Sequence, residues 1–286
     1  MDIFDNRRCE LGEGAFWHPE RQQFFWFDIL SSTLMSQDKG QPVAWQFDEY
    51  VSAAGWISRN ELMVASETAL WKLDLSTDAR ERLVPLSADK PHLRSNDGRA
   101  DPWGGFWIGT MGKKAETEAG SIWRYYRGEM RELFPKISIT NAICFDAGRE
   151  LAYFADTKLG LVWSQRLDAA TGWPIGSPEL YLDLSGEGLS PDGAVTDADG
   201  NFWNAQWGAS RVAQYGPDGR FLGAETFDAT RISCPAFGGP DFGMLFATSA
   251  QQGLDVEGRQ AEPHAGMTFS RKVNVRGIAE PQVILG

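Results

Sequence analysis

Four side chains carrying oxygen donors recur along the chain at nearly regular spacing: Glu13, Asn96, Asn141 and Asp192. Each stands at the start of a short run that reads as a strand, followed by a tight turn and a second strand. In the stretch SPDGAVTDADGNFWNAQWG, 190–208, Ala194-Val195-Thr196 make the first run. Asp199-Gly200 is the turn, because glycine takes the positive φ that hairpins need, and Phe202-Trp203 open the second run. The same grammar marks Glu13, Gly55, Asn96, Asn141, Asp192 and Cys234, with steps of 42, 41, 45, 51 and 42 residues. Equivalent positions of such repeats meet at one depth when the repeats are arranged in a ring. Two carboxylates brought together this way repel each other unless they are protonated or bridged by a cation. One divalent metal ion resolves the conflict. The donors suit calcium, magnesium or manganese, and carboxylates also bind zinc and ferrous iron. Any one of these residues alone reads as a turn or strand-start cap. Four in register read as a metal site.

Other catalytic constellations are absent from the sequence. There is no G-x-S-x-G elbow and no Walker loop, and His18, His92 and His264 lack the H-E-x-x-H spacing. Asp197-Ala198-Asp199-Gly200 looks like the start of an EF-hand loop. However, its glycine is displaced, and Gly208 stands where the bidentate Glu should be, so it reads as a hairpin turn. Cys9, Cys144 and Cys234 form no CxxC pattern and read as buried packing groups, and Trp107 and Trp203 read as core.

The elements that must position the markers are short strands. A period of roughly 40–50 residues with several strands per repeat signals a β-propeller. Six repeats predict an all-β, six-bladed propeller with the metal site in its central channel, in preference to an irregular β-sandwich. Turns are expected at His18–Arg21, Arg59-Asn60, Pro102–Gly105, Ala147–Arg149 and Gly239–Phe242. No linker divides the chain, so residues 1–286 are expected to form a single domain. The run Met267-Thr268-Phe269 should close the ring against N-terminal strands.

Composition bounds the partners. The chain has 286 residues, 42% of them hydrophobic, and a formal net charge of −12. That acidity disfavours nucleic acid and anionic membranes as partners. The N-terminus MDIFDNRRCELG has no apolar signal core and no run reaches the length of a membrane span, which predicts a cytoplasmic protein.

At the level of motifs, the chain resembles the SMP-30/gluconolactonase/LRE-like group, which includes regucalcin and bacterial sugar lactonases. The resemblance is carried by LGEGAFW at 11–17, RSNDGRADPWGGFWIGTM at 94–111, ITNAICFD at 139–146, SPDGAVTDADGNFW at 190–203, SCPAFGG at 233–239 and GLDVEGRQAEPHAGMTF at 253–269. It implies a six-bladed propeller with a divalent metal in the channel, and hydrolysis of a sugar-acid lactone. Glu13, Asn141 and Asp192 match the family's metal ligands, and Asp192 also its proton acceptor. Arg94 and Asn96 match substrate-contacting positions, with Asn96 close to the metal. Ala142 stands where the family has Gly in its Ser-Asn-Gly motif, and Lys114 falls near a sugar-contacting Glu of animal members. Lys113 or Lys114 is therefore a candidate reader of an anionic or strongly polar substrate group. The expected partner is a small sugar lactone, and the expected state is a monomer or weak homo-oligomer. The competing readings are a calcium-binding regulatory propeller without lactonase activity and a metal-dependent esterase acting on another lactone or an organophosphate.

Overall fold

A computed structural model describes residues 1–286. The strands form six four-stranded antiparallel sheets, each a blade. The inner strands, one per blade in chain order, are Gly12–His18, Val51–Ser58, Leu93–Ala100, Thr140–Asp146, Ser190–Thr196 and Ile232–Gly238. They are almost wholly buried on both faces, whereas outer strands such as Gln41–Gln46 and Phe221–Thr226 are largely exposed. This gradient follows from the ring, because inner strands face both the channel and the neighbouring blades while outer strands face water. The predicted turns all lie between the first and second strands of their blades, and Ala147–Arg149 forms a short 3-10 turn. Trp107 and Trp203 are core residues, and Cys9, Cys144 and Cys234 are buried free thiols, as their sequence contexts suggest.

Ring closure uses the N-terminus. Asp2–Asp5 pairs with Thr268–Lys272, with Asp2 opposite Ser270 and Ile3 opposite Phe269, so the first strand becomes the outermost strand of the sixth blade. Phe4 fastens this strand by edge-on contacts with Phe24, Trp26 and Phe246, at ring-centroid distances of 5.5, 6.1 and 5.1 Å. The only α-helix is the short Val256–Ala261, and no helix is long and apolar enough to cross a membrane.

Each inner strand is interrupted near its start by a register shift. The shifts fall between Glu13 and Phe16, Val51 and Ala53, Ser95 and Gly98, Asn141 and Cys144, Pro191 and Ala194, and Ile232 and Pro235. A bulge re-aims a side chain out of the regular pleat. Four of these bulges carry the markers that line the channel cavity, Glu13, Asn96, Asn141 and Asp192. One marker is corrected: in the second blade the register shift falls between Val51 and Ala53, and Gly55 lies beyond it. The run Gly55-Trp56-Ile57 is the later half of a strand that begins at Val51, and a Cβ on Gly55 would lie 2.7 Å from Val283, away from the channel mouth.

The far end of the channel is crossed by the C-terminal segment. Arg276 O accepts from the Ala198 N–H at 2.8 Å, Glu280 O from Trp56 Nε1 at 2.8 Å, and Gly104 O from the Ile284 N–H at 2.9 Å. The segment therefore runs from the fifth blade to the second and third, beneath the hairpin turns.

Because Phe4 joins the first strand to three aromatic rings, Phe4→Ala should weaken ring closure more than an exposed substitution would. A loss on the order of 2–3 kcal/mol is expected for this half-buried ring. Chemical denaturation of the variant beside Ile3→Ala, an exposed position on the same strand, tests this. Equal effects would exclude the aromatic clasp as the seal.

Candidate active site

The inner strands start at one end of the channel, and there Glu13, Asn96, Asn141 and Asp192 come together, with Arg94 beside them. All five are buried, between 3% and 7% exposed, yet line a single cavity of about 630 Å3. The site is thus reached through one mouth. Gly55 and Cys234, the other two markers, do not line it.

A chain of hydrogen bonds orients the floor. Arg94 Nη1 donates to Ser95 O at 2.8 Å and to Asn96 Oδ1 at 2.7 Å. Asn96 Nδ2 donates to Thr140 O at 2.8 Å and to Asn141 Oδ1 at 3.3 Å. Asn141 Nδ2 donates to Thr157 Oγ1 at 2.8 Å, and that hydroxyl donates to Pro191 O at 2.7 Å. The amide of Asn141 is thereby fixed with its nitrogen toward the fourth-blade loop and its oxygen toward the channel. The path continues to the residue just before Asp192, so the network links the floor side chains Arg94, Asn96 and Asn141 and spans three blades. Arg94 Nε and Nη2 make no hydrogen bond within the protein, which leaves a forked donor face for a ligand.

Close packing of the inner strands demands special backbone after Glu13 and Asn141. Gly14 follows Glu13 with φ of +57°, and a Cβ there would lie 2.1 Å from Ser52 O. Ala142 follows Asn141 with φ of +56°. The left-handed conformation that the family's glycine would adopt freely is kept here by an alanine, at a cost of about 1 kcal/mol. Side-chain burial of Ala142 among Cys144, Tyr153 and Ala155 offsets part of that strain.

The electrostatics of the site are set by burial and by like charges. Burial first, and then the neighbouring carboxylates, push the Glu13 and Asp192 carboxyls well above the ordinary range; Asp97 acts on both, and Glu13 acts on Asp192. Burial lowers the Arg94 guanidinium to about 10, against the pull of Glu13 and Asp192. The buried positive charge of Arg94 is hydrogen-bonded to Asn96, and the carboxyls are left without a basic hydrogen-bond partner. No group of three or more His, Cys, Asp or Glu side chains could hold a metal, so a site here needs the Asn141 amide oxygen as its third protein donor. Two buried carboxyls and one amide oxygen are hard donors that fit a divalent cation with water or substrate completing the shell.

Several residues at the site carry no signature in the sequence. Thr157 and Lys158 come from the loop after the second strand of the fourth blade, and Tyr50, Trp207, Met111 and Ile139 supply the apolar walls. Below the floor, Asp97 Oδ2 accepts from the Ile143 N–H at 2.7 Å, and burial raises its carboxyl to about 6. Arg99 lies beneath it, paired with Glu280 of the C-terminal segment. The triplet Asn96-Asp97-Gly98 is a signal for Asp97. Nothing in the sequence around Glu280 announces its partner. Lys113 and Lys114 both line the cavity. Lys113 Nζ is paired with Glu67 at 2.6 Å, and Lys114 Nζ has no ion-pair or hydrogen-bond partner.

Comparison with known proteins identifies relatives of the chain. The family described as "SMP-30/Gluconolactonase/LRE-like region" matches residues 11–251. A Rhizobium meliloti (strain 1021) protein, assigned by name only to the sugar lactone lactonases, is 40% identical over 95% of this chain and 93% of its own length. The 6-deoxy-6-sulfogluconolactonase of Pseudomonas putida is 32% identical over 95% of this chain and 94% of its own. Among solved structures, a calcium-binding protein, regucalcin, from Agrobacterium tumefaciens superposes with a TM-score of 0.97 at 38% identity, covering 99% of this chain and 97% of that one.

Carboxyls that ionise later in the fold than in the unfolded chain favour the folded state at low pH and lose that contribution as pH rises. With Glu13 raised to about 8, the metal-free protein should lose melting temperature from about pH 5 to 8. Asp192→Asn should flatten that slope. Calorimetry across this range checks it, and an unchanged slope in the variant would mean the pair is not held protonated.

Proposed function

The chain belongs to the SMP-30/gluconolactonase/LRE-like family, and from that premise we propose that it hydrolyses a sugar-acid lactone to the free acid with one divalent metal ion. The observation that carries the reading is the floor of the cavity. Two buried, uncompensated carboxyls and an oriented amide oxygen lie beside an arginine with free donors. The cavity is of a size suited to a small sugar ring. Named relatives of similar length act on sugar lactones.

Glu13, Asn141 and Asp192 would hold the ion, supplied as calcium, zinc, manganese, magnesium or ferrous iron in the assay below. The chemistry such an ion supplies is Lewis-acid polarisation of the lactone carbonyl and stabilisation of the negative charge that develops on it. Asp192 accepts a proton from the attacking water and returns it to the ring oxygen as the ester C–O bond breaks. One water adds, and one carboxylic acid and one hydroxyl result. Arg94, through Nε and Nη2, and Asn96 orient the sugar oxygens. Thr157 keeps the Asn141 oxygen aimed into the channel. The apolar walls exclude bulk water from the carbonyl.

The A. tumefaciens neighbour is described as a calcium-binding protein, which favours a second reading, calcium binding without hydrolysis. A pH-indicator assay of a panel of five- and six-ring aldonolactones, on metal-stripped protein with divalent ions restored singly, separates the two. Fast, metal-dependent opening supports the lactonase. Metal binding with no acceleration by any ion supports the calcium-binding reading.

Two variants test the assignments. Asp192→Ala should remain folded and lose more than about a thousandfold in kcat, as expected for removal of a base that is also a ligand. Thr157→Val should leave the ligands in place and weaken metal affinity by about 10–100-fold through misorientation of Asn141, read by metal titration calorimetry. Affinity equal to wild type would remove Thr157 from the supporting network.

A further inference from the structure

The mouth of the cavity is built differently from its floor. Strands that follow the inner ones run back toward the mouth, so the loops after Phe106–Gly112 and Leu151–Asp156 rise on the same side of the opening. These two loops carry Lys113, Lys114 and Lys158, and all three line the cavity. With Arg94, the cavity wall has four cationic side chains against two carboxyls, Glu13 and Asp192, in a chain whose formal charge is −12. The local sign is opposite to that of the whole molecule. A divalent ion on the floor would make the cavity still more positive.

The three lysines are held differently. Lys113 is compensated by Glu67 at 2.6 Å and lies 5.6 Å from the centroid of the Tyr50 ring. Lys158 Nζ donates to Ala115 O at 3.0 Å and to Thr117 Oγ1 at 2.9 Å, which ties the two loops together. An ammonium has three hydrogens, so Lys158 keeps one donor unused. It faces only neutral oxygens, which leaves its charge uncompensated. Lys114 Nζ has no protein partner. Glu116 accepts the Lys114 backbone N–H at 3.1 Å. One tethered and one free ammonium on adjacent loops over an acid-floored pocket form a rim suited to a singly charged group.

We propose that this rim selects a sugar lactone bearing an anionic group, a carboxylate or a sulfonate, at the carbon remote from the ring carbonyl. The carbonyl sits over Glu13, Asn141 and Asp192, and the anion sits between Lys114 and Lys158. This inference rests on the lactonase reading and refines its substrate class. The charge of the group matters more than its geometry, because a lysine ammonium is a point charge and not a fork.

The test compares three six-carbon lactones that differ only at C6: hydroxymethyl, carboxylate and sulfonate. The wild-type protein should show kcat/KM at least about tenfold higher for both anionic lactones than for the neutral one, a factor in keeping with charge-assisted hydrogen bonds at a wet rim. That preference should shrink as salt is raised from about 20 to 500 mM, because the screening length falls across this range. Lys114→Gln should lower the anionic-to-neutral ratio about tenfold, mainly through KM. Lys39→Gln, the same charge change in an exposed turn remote from the cavity, should leave the ratio unchanged. Preference for one anion alone would narrow the group to carboxylate or sulfonate and support the rim. Equal use of all three lactones, or a ratio insensitive to Lys114→Gln, would overturn the rim while leaving the lactonase standing. Failure to open any of the three would overturn the lactonase reading and this one with it.

Discussion

The structure depends on holding two buried carboxyls, Glu13 and Asp192, in contact range at the floor of the channel. Neither is favourable alone. Burial disfavours the charged form of each, and nearby carboxylates add repulsion. Such a pair persists only if the surrounding scaffold is rigid enough to keep the residues from relaxing apart. A closed ring supplies that rigidity. Residues from the first and fifth blades cannot separate unless the sheet-to-sheet packing opens, and the first strand pairing with Thr268–Lys272 joins the two ends of the chain into the sixth blade.

The polar surroundings of the pair follow from the same constraint. Asn96 and Asn141 bring amide oxygens to the channel without adding charge, and Thr157 fixes which atom of Asn141 faces inward. Acidic groups are stacked down the channel before a basic one is reached. Glu13 and Asp192 lie above, Asp97 is next, and the Arg99–Glu280 pair is below. Arg99 offsets the carboxylates from beneath, and Glu280 keeps Arg99 from being an isolated buried cation. A buried pair with one partner removed is strongly destabilising, so the C-terminal segment is part of the electrostatic balance of the channel and not only its seal.

Much of this was legible in the sequence because propeller repeats are written in local signals. Turn residues such as Asp199-Gly200 and the bulky residues of the second strands recur whatever the tertiary context, so the six repeats and the four oxygen donors could be read from spacing. The error at Gly55 has a definite cause. Bulges near the start of each inner strand offset the pleat, and in the second blade the bulge falls at Val51–Ala53 while the apolar run that betrays the strand lies further on. Thr157, Lys158 and Glu280 were not legible. Each matters through a partner on another blade or across the channel, and their own neighbours in sequence carry no periodicity that fixes where they point.

The separation of floor from rim follows from how a propeller is connected. Floor residues sit on inner strands, where a shift of one position would disturb both neighbouring blades, as the 2.1 Å approach available to a Cβ at Gly14 shows. Rim residues sit on loops after the second strands, which touch the floor at few points. Lys158 joins two of these loops to each other through Ala115 and Thr117, not to the ligands. Chemistry that depends on sub-ångström placement is therefore carried by the rigid part, and selection of substrate charge, which acts over several ångströms, is carried by the adaptable part. The same architecture can keep one hydrolytic floor while its loops change the substrates that reach it.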